Sequence, residues 1–238
     1  MKRRAVCTDP SWVGRSDCVH CVIRKRVLFA DLTKEELNDA LLVIDDLVYQ
    51  SGSMIYRHGD EGHALFTVRR GLVKLMRELP DGEQRVVRLL KVGDVAGIEI
   101  AIGLPYRHTA FAIGETELCR IPATVIEHLE LTHPTLARQL MVRWQTSLDD
   151  ADRALVEFST GSAEVRVARL LLHLSSLSQD ATCADIGRQD MGSMLGITTE
   201  TASRVMADFR RRGAIGEDGR GERCHCNLDL LKRIASPG

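Results

Sequence analysis

The sequence lacks the features that would assign it at once to a common class of protein. No run of about 18 apolar residues occurs in its 238 residues, so no membrane span is expected. The basic start, Met1–Arg4, is followed by no apolar segment, which disfavours a secretory signal and makes a cytoplasmic location the expectation. The formal net charge is only −1, so any nucleic-acid binding must come from a local basic patch.

Catalytic signatures are missing as well. The eight histidines show no H-x-x-x-H spacing of the kind that holds a catalytic metal. The sequence also has no nucleophile elbow, no phosphate-binding glycine loop and no pair of carboxylates in a glycine-framed pocket. We therefore do not expect an enzyme.

Cysteine is present in an odd number, seven, which in a reducing compartment favours free, metal-bound or redox-active thiols over disulfides. Cys7, Cys18 and Cys21 lie close to the N-terminus, and Cys119 follows in the middle of the chain. Four thiolates brought together would suit a soft metal ion or an iron–sulfur cluster. The alternative is a thiol–disulfide switch at Cys18 and Cys21, with Cys119 as a small buried side chain.

The surroundings of these cysteines are basic. Residues 1–30 hold seven Lys and Arg against two Asp, and this positive field is expected to lower the pKa of nearby thiols. A second group, Cys224-His225-Cys226, lies near the C-terminus. We expect its two thiols to face opposite ways on a strand, which disfavours a joint site.

Turn signals separate an all-β middle from helical ends. Capping-box spacing at Thr33 and helical intervals between apolar residues predict a helix over 31–48. From 52 to about 122, short apolar runs alternate with glycine-containing turns, which is typical of a β sandwich or barrel. The segment Pro80-Asp81-Gly82-Glu83 is the clearest hairpin tip.

A long helix is predicted over 133–160, where apolar residues recur in steps of three and four. A seam this narrow suits one partner helix, so we expect a parallel homodimer. Packing against the chain's own β domain is the alternative. The predicted dimer residues are Leu136, Leu140, Trp144, Leu148, Ala151 and Leu155.

Two short helices joined by a glycine-containing turn follow at 188–197 and 199–212, which indicates a helix-turn-helix. In the second helix Glu200, Ser203 and Arg204 have i, i+3, i+4 spacing and so project from one side, where they can reach base edges. Arginines at 210–212 are placed for phosphate contact, and 213–226 is expected to form a β wing. The predicted DNA-binding residues are Arg188, Thr198, Glu200, Ser203 and Arg204.

This order of elements resembles the CRP/FNR family of bacterial transcription regulators over nearly the whole chain. The family's glycine-studded roll is visible at Gly59-Asp60, Gly71, Gly82-Glu83-Gln84 and Gly93-Asp94. The segment Glu200-Thr201-Ala202-Ser203-Arg204 is similar to the recognition helix of the oxygen-responsive FNR branch. The resemblance implies an α+β fold with an N-terminal β-roll of the cyclic-nucleotide-binding, jelly-roll type, a long dimerisation helix and a C-terminal winged helix-turn-helix.

The resemblance also implies partners and boundaries. Glu200, Ser203 and Arg204 would read an inverted repeat of the TTGAT type, and the hairpin Asp81-Gly82-Glu83 would contact RNA polymerase. A solvated turn is the alternative for that hairpin. The expected domains are a cysteine-containing sensory arm (1–30), a β-roll sensor domain (31–132), the dimerisation helix (133–160) and the winged helix-turn-helix (161–238).

The FNR branch binds a [4Fe-4S] cluster through three N-terminal cysteines and one in the roll. Leu118-Cys119-Arg120-Ile121-Pro122 and Cys18-x-x-Cys21 are similar to those motifs, so the implied ligands are Cys7, Cys18, Cys21 and Cys119. In the best-known pattern the third N-terminal cysteine follows the pair, whereas Cys7 precedes it. His20 or Asp17 is therefore an alternative fourth ligand, and an incomplete site is the remaining alternative.

Cyclic-nucleotide binding is the main alternative to cluster sensing within the family. The family's cyclic-nucleotide pocket uses Gly-Glu-Leu followed by Arg-Ser/Thr-Ala, whereas this chain has Gly97-Ile98-Glu99 and Arg107-His108-Thr109-Ala110. Each motif is interrupted by one residue, so no cyclic nucleotide is expected. A regulator that senses through thiols or another small-molecule effector, without a cluster, is the alternative function.

Overall fold

The computed structural model describes residues 10–18, 20–30, 32–33, 43–133, 135–177, 182–184, 186–217 and 223–236. The chain divides into two compact units. The first comprises Met1–Arg77 and Arg88–Leu148, and the second comprises Glu78–Val87 and Asp149–Gly238.

The first unit contains most of the predicted β roll; the end of its fourth strand and the start of its fifth, within Glu78–Val87, belong to the second unit. The strands are β1 (Ser11–Arg15), β2 (Asp45–Tyr49), β3 (Met54–Tyr56), β4 (Ala64–Glu78), β5 (Gln84–Leu90), β6 (Val95–Ala96) and β7 (Thr109–Pro122). The antiparallel sheet has the strand order β1-β2-β7-β4-β5, with β3 paired to β7 and β6 paired to β4. Short 3-10 turns lie at Arg24–Arg26 and Ile98–Ile102.

The long pair β4 and β7 forms the centre of the roll. Leu65 and Val68 on β4 and Leu118 on β7 are fully buried and pack the core. The pairing shifts register around Gly71, which has φ +84°. A Cβ at Gly71 would lie 2.7 Å from the Glu115 carbonyl oxygen, so this bulge requires glycine.

The helix predicted over 31–48 is wrong at its C-terminal end. Residues Asp45–Tyr49 form β2, which pairs with Thr116–Arg120 of β7. The first part of that prediction, at 31 and 34–42, lies outside the described residues. The N-terminal arm contributes β1, which pairs with β2 and extends the sheet.

Two helices follow the roll, α1 (Ala123–Thr132) and α2 (Thr135–Ser159), and the second lies close to the bounds predicted for the long helix, 133–160. The predicted dimer seam on α2 has two parts. Leu136 and Leu140 are buried within the chain itself. The exposed part of the seam comprises Trp144, Leu148, Ala151 and Leu155.

The second unit contains the predicted winged helix-turn-helix. Its helices are α3 (Ala163–Ser176), α4 (Arg188–Leu195), α5 (Thr199–Arg211) and α6 (Leu228–Ala235), the last of which was not predicted. Its wing sheet has the order β8-β10-β9, formed by β8 (Thr182–Ala184), β9 (Ile215–Glu217) and β10 (Arg223–Cys226).

The prediction that Cys224 and Cys226 face opposite ways was wrong. Both side chains are buried, whereas the intervening His225 is exposed. Residues two apart on a strand share a face, so both thiols belong to the core side of the wing.

Candidate functional site

Three of the four predicted cluster ligands line one small cavity in the first unit. Cys18 and Cys21 lie in the segment that follows β1, and Cys119 lies on β7. The cavity measures about 20 Å³. Its remaining lining residues are Arg24, Val27, Phe29, Ile44, Thr67 and Ile121. The fourth predicted ligand, Cys7, lies outside the described residues.

The sheet fixes the position of Cys119. Asp46 on β2 and Thr67 on β4 are its direct partners on the two neighbouring strands. Directly opposite residues in antiparallel strands project from the same face, so these three side chains form a row across the sheet. One wall of the cavity is therefore built by long-range strand pairing rather than by a local loop.

A polar network surrounds the Cys119 sulfur. The thiol donates to Asp46 Oδ1 at 3.4 Å, and the Ser16 hydroxyl lies 3.6 Å from Cys119 Sγ. Ser16 also hydrogen-bonds Asp46, and Arg69 forms an ion pair with the same carboxylate. Asp46 is thereby held in place beside the sulfur.

The pKa values of the Cys18 and Cys119 thiols are raised, contrary to the prediction from the basic arm. Burial, followed by the neighbouring Cys21 and Asp46, raises the pKa of Cys18 to about 11. Burial is also the main cause that raises the pKa of Cys119 to about 12. Both thiols are therefore protonated and weakly nucleophilic at neutral pH, and a metal must displace their protons to bind.

The cavity wall contains a buried hydroxyl without a partner. Thr67 is only 1% exposed, and its Oγ1 has no hydrogen-bond partner among the residues that the structure describes. Burying such a group costs about 1–3 kcal/mol, so the unsatisfied hydroxyl points to a partner beyond the described residues, such as a bound group.

The donor set fits an iron–sulfur cluster by its chemistry. Three soft sulfur donors and one spare hydroxyl donor meet at one cavity with an apolar lining. Within the described ranges, no three His, Cys, Asp or Glu side chains are grouped closely enough to hold a metal ion as they stand. The fit therefore rests on residue types and their convergence, not on preformed coordination geometry.

The two alternative fourth ligands interact with each other. His20 Nδ1 lies 2.9 Å from Asp17 Oδ2, and the side chains are 76% and 66% exposed. Both residues are close in sequence to Cys18 and Cys21, so either stays a candidate alongside Cys7.

The residues compared with a cyclic-nucleotide pocket contact each other directly. Glu99 is buried, and its Oε1 accepts a hydrogen bond from the Arg107 backbone N–H at 2.6 Å. Nearby, burial followed by the charges of Arg88 and Arg77 lowers the pKa of His108 to about 4. His108, which interrupts the Arg-Thr pair in sequence, is therefore neutral at physiological pH.

In the second unit, α5 presents a polar face over an apolar one. Ala202, Met206 and Phe209 are buried against the rest of the unit. The predicted base-reading residues Glu200, Ser203 and Arg204 are all exposed. The helix is thus anchored on one side while the opposite side can enter a DNA groove.

Capping defines where α5 begins. Thr198 is the N-cap, and its side chain accepts a hydrogen bond from the Thr201 N–H at 3.1 Å. Gly196, with φ +64°, ends α4 in the left-handed conformation that glycine favours. Arg188 occupies the first position of α4 and is partly exposed.

The basic end of α5 is partly neutralised within the unit. Arg211 pairs with Asp208, and Arg212 pairs with both Glu164 and Asp208. The phosphate contacts expected for 210–212 stay a prediction, and DNA would compete with the ion pairs of Arg211 and Arg212 for their guanidinium groups.

The hairpin predicted to contact polymerase has an exposed tip. Asp81, Gly82 and Glu83 are all solvent-accessible, and Asp81 Oδ1 accepts from the Glu83 N–H at 2.9 Å. Next to the tip, the Ser193 hydroxyl of α4 hydrogen-bonds the Gln84 carbonyl and accepts from the Val86 N–H at 3.0 Å.

Comparisons with known proteins match both units. Residues 46–133 match the cyclic nucleotide-binding domain family, and residues 165–234 match the Crp-like helix-turn-helix domain family. The chain is 26% identical over 227 residues to the transcriptional activator protein FnrA of Stutzerimonas stutzeri, which covers 91% of each chain. It is 26% identical over 217 residues to the transcriptional activator protein anr of Pseudomonas aeruginosa, covering 87% of each.

A solved structure is similar over most of the chain. FixK2 from Bradyrhizobium japonicum matches with a TM-score of 0.72 and 26% identity, covering 83% of this chain and 100% of that one. The curated relatives named above are transcriptional activators, not enzymes. In the part of the chain that the structure describes, none of the helices combines the length and apolar character needed to cross a membrane.

Proposed function

The chain belongs to the CRP/FNR family of DNA-binding transcription regulators, within which it is FNR-like, and on this premise we propose that it senses oxygen through a [4Fe-4S] cluster. It would act as a cytoplasmic homodimer on a TTGAT-like inverted repeat. The observation that carries the cluster proposal is the convergence of Cys18, Cys21 and Cys119 on one cavity lined by the unsatisfied Thr67 hydroxyl.

Cys7, Cys18, Cys21 and Cys119 would hold the cluster, whose chemistry when bound is loss of electrons to oxygen followed by disassembly. The raised pKa values of Cys18 and Cys119 disfavour direct thiol oxidation as the sensing step. The attacking species in thiol chemistry is the thiolate, which burial disfavours at both positions.

The proposed domain plan assigns 1–30 to the sensory arm, 31–132 to the β-roll sensor, 133–160 to the dimerisation helix and 161–238 to DNA binding. The first unit contains a link between arm and helix. Arg143 of α2 hydrogen-bonds the Arg26, Val27 and Gly93 carbonyl oxygens. Because the turn at Arg24–Arg26 begins with a hydrogen bond to the Cys21 carbonyl, a rearrangement at the cysteines would reach α2.

The second unit would bind the DNA. Glu200, Ser203 and Arg204 would read base edges in each half-site, and Thr198 and Arg188 would lie near the DNA phosphate backbone. The exposed tip Asp81-Gly82-Glu83 would offer RNA polymerase two carboxylates on a rigid turn.

Dimerisation is expected to depend on the exposed apolar residues of α2. Replacing Leu155 by Asp should weaken the dimer at least about 100-fold, because two symmetry-related leucines each lose about 1.5–3 kcal/mol of burial. Light scattering coupled to gel filtration would report the mass. Thr146→Asp, an equally charged change at an exposed residue off the seam, should leave the dimer intact. A Leu155→Asp protein that stays dimeric at the same concentration would contradict the proposal that these residues form the dimer interface.

The cluster itself is tested by anaerobic purification followed by air exposure. We expect a broad visible absorption band, about four iron and four sulfide per chain, and loss of colour in air. A colourless, iron-free protein that still binds DNA would contradict the cluster proposal and favour sensing through thiols or a small-molecule effector.

A further inference from the structure

The buried hydroxyl of Thr67 has a specific position that the fold alone does not explain. Thr67 lies on the central strand β4, directly opposite Cys119 on β7 and Val95 on β6. Its backbone position is fixed by pairing on both sides, and its oxygen remains unpaired among the described residues. Valine has nearly the same shape and prefers strands as strongly, so stability alone would favour valine here.

Water is a poor partner for this hydroxyl. A buried water needs two to four polar partners, whereas the cavity lining includes the apolar side chains of Val27, Phe29, Ile44 and Ile121. Arg24, the charged lining residue, donates to the Leu32 carbonyl at 2.6 Å. The thiols of Cys18, Cys21 and Cys119 share the cavity with Thr67. They could bind a ligand that offers hydrogen-bond acceptors to the Thr67 hydroxyl.

We propose that the Thr67 hydroxyl donates a hydrogen bond to a sulfur of the cluster bound by these cysteines, and that this bond slows oxidation by oxygen. The inference rests on the proposed function and adds a positioning residue that sets the sensitivity of the sensor. Hydrogen bonds to cluster sulfurs stabilise the electron-rich state and raise the reduction potential. Thr67 would therefore make the bound cluster harder to oxidise, at a cost to the stability of the protein without it.

The test compares Thr67→Val, which removes the hydroxyl at nearly constant shape, with Thr67→Ser, which keeps it. With cluster bound, the valine variant should lose its visible absorption in air at least about threefold faster and show a lower reduction potential. The serine variant should stay within about twofold of the unchanged protein. After iron is removed by chelation, the valine variant should melt at least about 2 °C above the unchanged protein, because the unsatisfied hydroxyl is gone.

The valine variant is expected to resist oxygen less when the cluster is bound, but to be more stable when it is removed. A merely structural role would not give this combination. A valine variant with unchanged bleaching rate and potential overturns it, whatever its melting temperature. If the valine variant does not fold, Thr67→Ala compared with Thr67→Ser isolates the same hydroxyl. If the unchanged protein, purified anaerobically, contains no iron or sulfide, then the proposed function fails and this inference fails with it. If the cluster content is normal but the valine and serine variants do not differ in bleaching rate or reduction potential, only the inference is overturned.

Discussion

Replacement of Cys119 by serine is expected to reduce iron from about four atoms per chain to fewer than one, with loss of oxygen-dependent regulation in the cell. Cys119 is the predicted ligand that the roll itself holds, since its β strand pairs with β2 on one side and β4 on the other. A serine hydroxyl is a hard donor and stays protonated, so it replaces a thiolate poorly. Iron and sulfide analysis of anaerobically purified protein measures the effect.

A matched control is available in the other unit. Cys226 is also buried on a strand, 6% exposed against 8% for Cys119, but it belongs to the wing. Cys226→Ser should keep full iron content, which would show that loss in Cys119→Ser is specific to the cavity. Circular dichroism should confirm that both variants are folded. If Cys119→Ser retains both iron and regulation, the four-thiolate proposal is wrong.

The same assay identifies the fourth ligand. Cys7→Ser should lose iron to the same extent as Cys119→Ser if Cys7 completes the set. Retention of iron in Cys7→Ser, with loss in His20→Ala or Asp17→Ala, would assign the fourth position to the exposed pair at the surface. The upstream position of Cys7 in the sequence makes this comparison the informative one.

The helix-turn-helix was predictable because its determinants are local. Thr198, Gly196 and the i, i+3, i+4 spacing of Glu200, Ser203 and Arg204 all act within one or two turns of helix. The structure places the cap, the turn and the exposed face where those signals indicate.

The N-terminal region was harder because its structure depends on distant pairing. Asp45–Tyr49 continues a helical spacing of apolar residues, but it pairs with Thr116–Arg120, far along the chain. Strand β1 is mostly exposed and shows no clear alternation, so nothing in Ser11–Arg15 predicted it. The strands that they pair with determined both β1 and β2, and a local sequence pattern does not show which distant segment a strand will pair with.

The candidate site was predictable in its residue types but not in its electrostatics. Spacing and resemblance identified Cys18, Cys21 and Cys119, which the structure brings to one cavity. The expected lowering of thiol pKa was wrong for Cys18 and Cys119, because burial outweighs the basic arm. Thr67 could not be found from sequence, since a threonine in a strand is ordinary until its neighbours are known.

Removing the Arg204 side chain is expected to weaken operator binding by about 1–3 kcal/mol, or roughly 5- to 150-fold, chiefly at one base position. Arg204 is exposed on the face of α5 that also carries Glu200 and Ser203. A guanidinium can grip guanine O6 and N7 with two parallel hydrogen bonds, so its loss should relax discrimination at that base pair. Fluorescence anisotropy against a panel of half-sites, each with one substituted base pair, measures the position of the effect.

Arg210→Ala is the matched control, since it removes another exposed arginine from the opposite end of the same helix. A phosphate contact there should weaken binding about equally across the panel and reduce the slope of log affinity against log salt by about one. Arg204→Ala should change the rank order of the half-sites, whereas Arg210→Ala should preserve it. If Arg204→Ala lowers every affinity by the same factor and leaves the preferred sequence unchanged, then Arg204 contacts the backbone and base reading must reside in Glu200 and Ser203.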